Sequence, residues 1–263
     1  MRLVLVGRPV AHSRSPQIHN AALAACGIGG EYSARDVDSA GFEVVCAQLR
    51  GGDLDGANVT MPHKLAAFAA CEMRDGDAAA AGSVNTLAVR DGSLWGWCTD
   101  VTALRRALAA MPPGPVLILG GGGAAAAAAV AASGRTVSVT TRSPSTGIAA
   151  LGRFDRIPWG KPLPGAVVVN ATPLGMAGEP LPSGVVAAAA GLVDLAYGPV
   201  PTPAVSAARA AGLSVIDGIQ ILVDQAAESF EIWTGQPAPR DAMQAAAVGA
   251  APLKEAGNPA DTH

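Results

Sequence analysis

Short apolar runs separated by helix-forming stretches set the hydrophobic pattern of this chain. Runs such as Val116–Leu119 and Ala166–Asn170 are apolar along nearly their whole length, which is typical of strands buried in a parallel sheet. Helices fit between such strands, so the pattern predicts an α/β fold with a doubly wound parallel sheet. The predicted strands are Leu3–Val6, Glu31–Val37, Gly56–Val59, a strand that follows Gly82–Thr86 and ends at a hairpin turn over Arg90–Ser93, Leu94–Cys98, Val116–Leu119, Thr136–Thr140, Ala166–Asn170, Leu192–Leu195 and Leu213–Ile216. The predicted helices are Pro16–Cys26, Phe42–Leu49, Asp75–Ala81, Val101–Met111, Thr202–Ala211 and Gln220–Trp233.

A glycine-rich turn follows the strand Val116–Leu119 and leads into an alanine-rich helix. Gly120, Gly122 and Ala125 match the pattern G-x-G-x-x-G/A, in which a tight turn brings backbone N–H groups at a helix start close to a pyrophosphate. The alternative is a flexible glycine linker. The turn predicts a dinucleotide site formed by Gly120, Gly121, Gly122, Gly123 and Ala124.

The strand Thr136–Thr140 ends about 20 residues after Gly120, where an acidic residue binds the ribose 2′-hydroxyl of NAD. Here the sequence has Thr141, Arg142 and Ser143 and no carboxylate. An arginine flanked by hydroxyl groups suits a 2′-phosphate, so these residues favour NADP. A surface arginine in a loop is the alternative, and the sequence suggests no second arginine near Arg142.

Three polar residues stand at predicted strand-to-helix junctions. Ser15, with Ser13 beside it, is either an N-cap or a ligand-binding hydroxyl. Lys64 follows Pro62 in a predicted first helical turn, where the helix dipole disfavours a cation. It is therefore either a solvated surface residue or a group held to donate a proton or bind a carboxylate. Asp100 is likewise an N-cap or a functional carboxylate.

Composition excludes several classes of protein. The 263 residues are 50% hydrophobic with a net charge of −3 and no basic run, so nucleic acid is not an expected partner. The four cysteines lack C-x-x-C spacing and the histidines form no ligand cluster, so we expect neither disulfides nor a metal site. No uninterrupted apolar run reaches the length of a membrane span, and no signal peptide is evident. We expect a soluble cytoplasmic protein that contacts no membrane.

The motifs GRPVAHSRSPQIHN, NVTMPHK, SVNTL, TD, DLAYGPVPTP and DGIQILVDQAA together resemble the shikimate dehydrogenase family over about residues 3 to 245. The resemblance implies a Rossmann-type NADP-binding domain (residues 101–218) inserted into an α/β substrate-binding domain (residues 1–100 and 219–263). It also implies a reversible, NADP-dependent reduction of 3-dehydroshikimate to shikimate, in the biosynthesis of chorismate and aromatic amino acids. The family contains monomers and homodimers.

The same resemblance implies a role for each motif. Lys64 becomes the catalytic lysine and Asp100 its acid–base partner. Independently of the resemblance, the parallel-sheet pattern places Thr141, Thr172, Tyr197 and Gly218 at the carboxyl ends of strands, where a ligand crevice forms, and we expect Thr172, Leu195 and Gly218 to bind the cofactor. The substrate, a hydroxylated cyclohexene carboxylate, would be bound by Ser13, Ser15, Thr60, Asn85, Tyr197 and Gln225.

The chain departs from the family pattern around two of these motifs, at Cys98, Val101, Ala103, Gln220 and Ile221. These departures leave open a quinate or aminoshikimate dehydrogenase, or a non-catalytic NADP-binding sensor. A methylenetetrahydrofolate dehydrogenase on a related two-domain scaffold is a further alternative. The paired serines and the tyrosine and glutamine motifs argue against it.

Overall fold

The first half of the chain forms a mixed sheet. The computed structural model describes residues 1–142 and 149–249. Among these described residues, the first sheet has six strands in the order β2-β1-β3-β5-β6-β4. β1 pairs in parallel with β2 and β3, whereas β5 is antiparallel to β3 and β6. The strands are β1 (Arg2–Gly7), β2 (Glu31–Asp36), β3 (Gly56–Val59), β4 (Met73–Arg74), β5 (Thr86–Arg90) and β6 (Ser93–Trp97).

The second sheet is parallel throughout the described residues, in the order β12-β11-β10-β7-β8-β9. Its central strand β7 has β8 on one side and β10 on the other, so the strand order reverses there. In such sheets a ligand binds at the carboxyl ends of the strands beside this switch point. The strands are β7 (Val116–Leu119), β8 (Val137–Thr140), β9 (Asp155–Arg156), β10 (Val167–Asn170), β11 (Gly191–Asp194) and β12 (Ser214–Ile216).

The helices cover the two sheets and join them. α5 packs against α6 and α8, so it lies where the elements of both sheets meet. Apolar residues of α8, including Ala226 and Phe230, share a core with Leu3, Leu5 and Tyr32 of the first sheet. The helices are α1 (Ser15–Ala25), α2 (Ser39–Arg50), α3 (Lys64–Ala70), α4 (Gly76–Ala81), α5 (Thr99–Ala109), α6 (Gly123–Ala131), α7 (Pro203–Ala210), α8 (Gly218–Thr234) and α9 (Arg240–Gly249). No helix in the described ranges is long and apolar enough to cross a membrane.

Neither Ser15 nor Asp100 acts as a helix N-cap. α1 begins at Ser15 itself, and Arg14 at the cap position makes no side-chain capping bond. α5 begins at Thr99, two residues before the predicted start, and places Asp100 inside its first turn. The N-cap interpretation of Ser15 and Asp100 is therefore wrong, and both side chains are available for other contacts.

Three elements are absent from the predicted set. β4 and β9 have only two residues each, too few to produce a hydrophobic pattern. α9 follows the break at Gly235 and the prolines after it, and buries Met243 and Ala247 against α1 and α8. Proline just before a helix start is compatible with the helix that follows. The break therefore ends α8 without ending helical structure.

Candidate active site

An ion pair between Lys64 and Asp100 lies at the centre of the candidate site. Lys64 is the first residue of α3 and Asp100 lies in the first turn of α5. The lysine Nζ is 2.5 Å from Asp100 Oδ2, and the two side chains are only 18% and 12% exposed. Burial by itself lowers the pKa of Lys64, but the charge and hydrogen bond of Asp100 outweigh it and raise that pKa. Lys64 is therefore a protonated, partly shielded acid at neutral pH.

Asn85 fixes the second oxygen of the carboxylate. Its Nδ2 donates to Asp100 Oδ1 at 2.9 Å and to Thr99 Oγ1 at 3.0 Å. Its Oδ1 accepts the backbone N–H of Thr99 at 2.8 Å. The amide of Asn85 thus orients Asp100 toward Lys64. No sequence motif indicates this contact; the resemblance predicts that Asn85 binds a ring hydroxyl, and that role stays a prediction.

A buried polar network lies behind Asn85. Ser229 of α8 is within 2.8 Å of Thr86 Oγ1 and accepts from Asn58 Nδ2 at 3.0 Å. Gln225 Oε1 lies 3.5 Å from Asn85 Nδ2, and Gln225 Nε2 donates to the Leu222 carbonyl at 2.9 Å. The network holds α8 against the first sheet. Sequence motifs do not single out Asn58, Thr86 or Ser229, because their partners are distant in the sequence.

Hydroxyl groups converge beside the start of α1. Ser13 Oγ donates to Ser15 Oγ at 3.1 Å, and the backbone N–H of Ser15 donates to Ser13 Oγ at 3.2 Å. Burial raises the pKa of Tyr197, although a hydrogen bond with Ser13 acts in the opposite direction. Arg14 donates to the Gly198 carbonyl at 2.8 Å, which ties the Tyr197 segment to α1. Ser13, Ser15 and Tyr197 therefore form a group of neutral donors suited to a carboxylate. Thr60, half-buried after β3, donates its backbone N–H to the Val6 carbonyl at 2.9 Å.

The glycine turn has the geometry needed for close approach of a dinucleotide. Gly120 has φ of +134°, and a Cβ there would lie 2.8 Å from the Ala171 carbonyl oxygen. Gly122 is the N-cap of α6, and a Cβ there would meet nothing within 4 Å, which leaves room for a ligand. Ala125 is fully buried where α6 packs. The first N–H groups of a helix have no partner within the helix, and together with the dipole at the start of α6 they suit a pyrophosphate, so this turn fits the phosphates of a dinucleotide.

The last glycine of this turn, Gly123, lies close to the side chain of Lys64. A Cβ on Gly123, the first residue of α6, would lie 3.3 Å from Lys64 Cδ and 2.6 Å from Ser83 Oγ. Only a glycine allows this approach. The glycine turn and the side chain of Lys64 are therefore so close that a larger residue at position 123 would collide with its surroundings.

Thr141, which follows β8 and lies beside Gly121 of the glycine turn, lines a pocket of about 210 Å³ together with Arg142, Arg156 and Trp159. The expectation that no second arginine lies near Arg142 is wrong. β9 pairs beside β8 and places Arg156 opposite Val139. Ser143, also predicted to bind the cofactor, lies outside the described residues.

The carboxyl ends of β10 and β11 are joined by polar contacts. Thr172 Oγ1 donates to Asn170 Oδ1 at 2.6 Å, and Asn170 Nδ2 donates to Asp194 Oδ1 at 2.8 Å. A Cβ on Gly218 would lie 2.9 Å from the Leu195 carbonyl. Tyr197 and Gly218 both line a cleft of about 300 Å³. Thr172, Leu195, Tyr197 and Gly218 therefore meet at one edge of the second sheet, as predicted strand ends should.

Four of the five positions that depart from the family pattern are buried: Cys98, Val101, Ala103 and Ile221. Gln220 is exposed, and its backbone N–H donates to the capping carboxylate Asp217 at 3.2 Å. Burial raises the pKa of the Cys98 thiol, and the charge of nearby Asp100 adds to this effect. The four buried departures belong to one hydrophobic core, and the polar contacts of the ion pair are formed alongside them.

Sequence comparison identifies related proteins. Residues 5–87 match the model of the shikimate dehydrogenase substrate-binding domain, and residues 218–248 match that of the shikimate 5′-dehydrogenase C-terminal domain. A shikimate dehydrogenase (NADP⁺) of Exiguobacterium sibiricum is 37% identical over 89% of this chain and 93% of its own. One from Acidiphilium cryptum is 40% identical over 88% of this chain and 89% of its own.

Structural comparison gives the same result. The crystal structure of shikimate 5-dehydrogenase from Thermus thermophilus, in complex with NADP(H) and shikimate, superposes with a TM-score of 0.83. The two chains are 34% identical, and the match covers 94% of this chain and 98% of the other. The predicted α/β architecture with a Rossmann-type sheet is confirmed.

Proposed function

This chain belongs to the shikimate dehydrogenase family, and from that premise we propose that it catalyses the reversible, NADP-dependent reduction of 3-dehydroshikimate to shikimate. The observation that carries the proposal is the Lys64–Asp100 ion pair, buried against the glycine turn of α6. Reduction of a carbonyl by hydride needs a proton donor for the oxygen that becomes negative, and a protonated lysine beside a dinucleotide-binding turn would place that donor close to the hydride source.

The residues that would hold NADP are those that fit its parts. The turn Gly120–Gly123 suits the pyrophosphate, because it leads into the first turn of α6, whose N–H groups have no partner within the helix, and because a Cβ on Gly122 would meet nothing within 4 Å. Thr172, Leu195 and Gly218, at the strand ends nearest Tyr197, would border the nicotinamide. Arg142 would lie near the 2′-phosphate. When bound, NADPH supplies the hydride.

Lys64 would act as the general acid in the reducing direction. Negative charge develops on the C3 oxygen of the substrate as the carbonyl is reduced, and the Lys64 ammonium would donate a proton to it. Asp100 keeps the ammonium charged and points it in one direction, and Asn85 holds Asp100. Because the lysine side chain is 18% exposed, it can regain its proton from solvent. In the oxidising direction Lys64 would first have to lose a proton.

The substrate carboxylate would be bound by Ser13, Ser15 and Tyr197, whose hydroxyl groups converge beside α1. Hydroxyl groups can donate hydrogen bonds to a carboxylate, and the charge of Arg14 beside Tyr197 also favours an anion there. Thr60, Asn85 and Gln225 would contact the ring hydroxyls on the side of the ion pair. Binding the carboxylate at one end and a hydroxyl at the other would present C3 to the proton donor.

We also propose that the two sheets belong to two parts of the chain, one that binds the substrate and one that binds NADP. Residues 1–100 and 219–249 would form the substrate-binding part, because α8 and α9 share a core with the first sheet. Residues 101–218, which hold the second sheet, would form the NADP-binding part. Residues 250–263, expected to belong to the substrate-binding part, lie outside the described residues.

The test is an absorbance assay at the NADPH band with shikimate, quinate and aminoshikimate, each with NADP and with NAD. The proposal predicts NADP-dependent turnover of shikimate with kcat in the ordinary enzyme range of about 1–10³ s⁻¹. Turnover of quinate or aminoshikimate alone would assign the chain to another branch of the family. Binding of NADPH with turnover of no substrate would favour a sensor.

A further inference from the structure

The pocket at the outer edge of the second sheet contains two arginines. It has a volume of about 210 Å³ and is lined by Val139, Thr141, Arg142, Arg156, Ile157, Pro158 and Trp159. Among these lining residues none carries a carboxylate. The pocket opens beyond the carboxyl end of β8, where the adenosine ribose of a dinucleotide binds in a sheet of this topology.

The sheet itself brings Arg156 to this pocket. β9 pairs in parallel with β8, and Arg156 is opposite Val139. The backbone N–H of Ile157 donates to the Val139 carbonyl at 3.1 Å, and Thr140 Oγ1 donates to the Pro158 carbonyl at 3.0 Å. The segment that carries Arg156 is thus bonded to β8 through the two residues that follow the arginine.

The two arginines also lack anionic partners within the described residues. Other exposed arginines, such as Arg105 and Arg209, form ion pairs with aspartates at 2.8 Å. Neither Arg142 nor Arg156 has an ion pair in the described part of the chain, and Arg142 instead lies 6.0 Å from the ring centroid of Trp159. Residues 143–148 (SPSTGI) carry no charged side chain. Two positive charges therefore face one pocket without a carboxylate among its lining residues.

We propose that Arg156 is the second cation that binds the 2′-phosphate of NADP, and that with Arg142 it sets the preference for NADP over NAD. This inference rests on the proposed function, because it assumes that a dinucleotide occupies the glycine turn. A phosphate monoester carries a charge of about −1.5 to −2 at pH 7, which is more than one guanidinium neutralises. A second arginine facing the same pocket supplies the remaining charge and further N–H donors.

The experiment compares cofactor affinities of the wild-type chain and Arg156→Gln, with NADPH and NADH titrated by cofactor fluorescence. Because Arg156 is exposed, we expect the lower end of the range for charged hydrogen bonds, about a 10-fold loss of NADPH affinity. NADH affinity should change by less than about 2-fold, since NADH has no 2′-phosphate. Arg156→Lys, which keeps the charge, should recover part of the loss.

The probes 2′,5′-ADP and 5′-AMP isolate the phosphate from the rest of the cofactor. The wild-type chain should prefer 2′,5′-ADP, and Arg156→Gln should lose most of that preference. Arg153→Gln is the matched control, because Arg153 is exposed on the same segment, lies 5.1 Å from the Phe154 ring centroid and does not line the pocket. It should leave both affinities unchanged.

Two results would overturn the inference: equal effects of Arg156→Gln on NADPH and NADH, or an effect no larger than that of Arg153→Gln. A wild-type chain without preference for 2′,5′-ADP would overturn it as well. These failures are separable from failure of the proposed function. A chain that binds 2′,5′-ADP through Arg156 but reduces no 3-dehydroshikimate would retain the inference and lose the proposed activity.

Discussion

Lys64→Met removes the proposed proton donor while keeping most of the side-chain stem that packs on Gly123. The wild-type ammonium is 2.5 Å from Asp100 and only 18% exposed, so the variant loses both the proposed acid and the ion-pair partner of Asp100. Because a positioned general acid contributes about 10²–10⁴-fold, kcat for 3-dehydroshikimate reduction should fall by that factor. This corresponds to about 2.7–5.5 kcal/mol of lost transition-state stabilisation.

The assay is steady-state NADPH oxidation at saturating substrate, together with NADPH affinity measured by fluorescence. The affinity should change little, because the glycine turn is intact and Met is no larger than Lys. In the wild-type chain, shikimate oxidation should accelerate as pH rises toward the raised pKa of Lys64, and the variant should lose this dependence. Lys161→Met, at an exposed position, is the matched control. A kcat for Lys64→Met within about 3-fold of the control would refute the general-acid role.

Three further predictions concern the ion-pair partner of Lys64, a buried histidine and the glycine turn. Asp100→Asn should lower kcat by at least about 10-fold and move the rise of shikimate oxidation with pH to lower pH, because the charge and hydrogen bond of Asp100 no longer oppose the effect of burial on the pKa of Lys64. An unshifted rise would contradict this. Burial lowers the pKa of His19 to about 3, below its unfolded value of 6.5. Below pH 6.5 the unfolded chain therefore binds a proton on His19 that the folded chain excludes. The free energy of unfolding falls by up to about 1.4 kcal/mol for each pH unit below 6.5, and His19 causes no such loss above it. Urea unfolding from pH 7.5 to 5 should show a smaller decline for His19→Phe than for the wild-type chain, and equal declines would refute this. Gly120→Ala should cost about 1–3 kcal/mol in urea unfolding, because its φ is positive and a backbone carbonyl lies 2.8 Å from the new methyl group. Gly122→Ala should spare stability and weaken NADPH binding, and equal stability losses would contradict the proposed division of roles.

Local pattern is sufficient for the parts of the site that are continuous in sequence. The tight turn at Gly120 can be read from a strand, glycines and a helix, whereas the carbonyl that a Cβ there would meet belongs to the distant Ala171. Lys64 stands out because a cation in a first helical turn is unfavourable without a partner. Its partner Asp100 is identified only through the family resemblance, since the two residues are 36 positions apart.

Contacts between distant segments cannot be read from periodicity. Ser229 meets Asn58 across 171 residues of sequence, and only the return of α8 to the first sheet brings them together. Arg156 reaches the Arg142 pocket through a two-residue strand that has no hydrophobic signature. Periodicity reports which face of an element is buried, whereas these contacts depend on which elements become neighbours.

Isotopic labelling of the transferred hydride tests the proposed reaction at the bond that forms. The chain would be incubated with 3-dehydroshikimate and NADPH that carries two deuterium atoms at C4 of the nicotinamide, and the product would be analysed by mass spectrometry. The proposed reaction predicts shikimate that is one mass unit heavier than the unlabelled product, formed by the wild-type chain and strongly reduced in Lys64→Met. Unlabelled shikimate, or consumption of NADPH without shikimate, would contradict it.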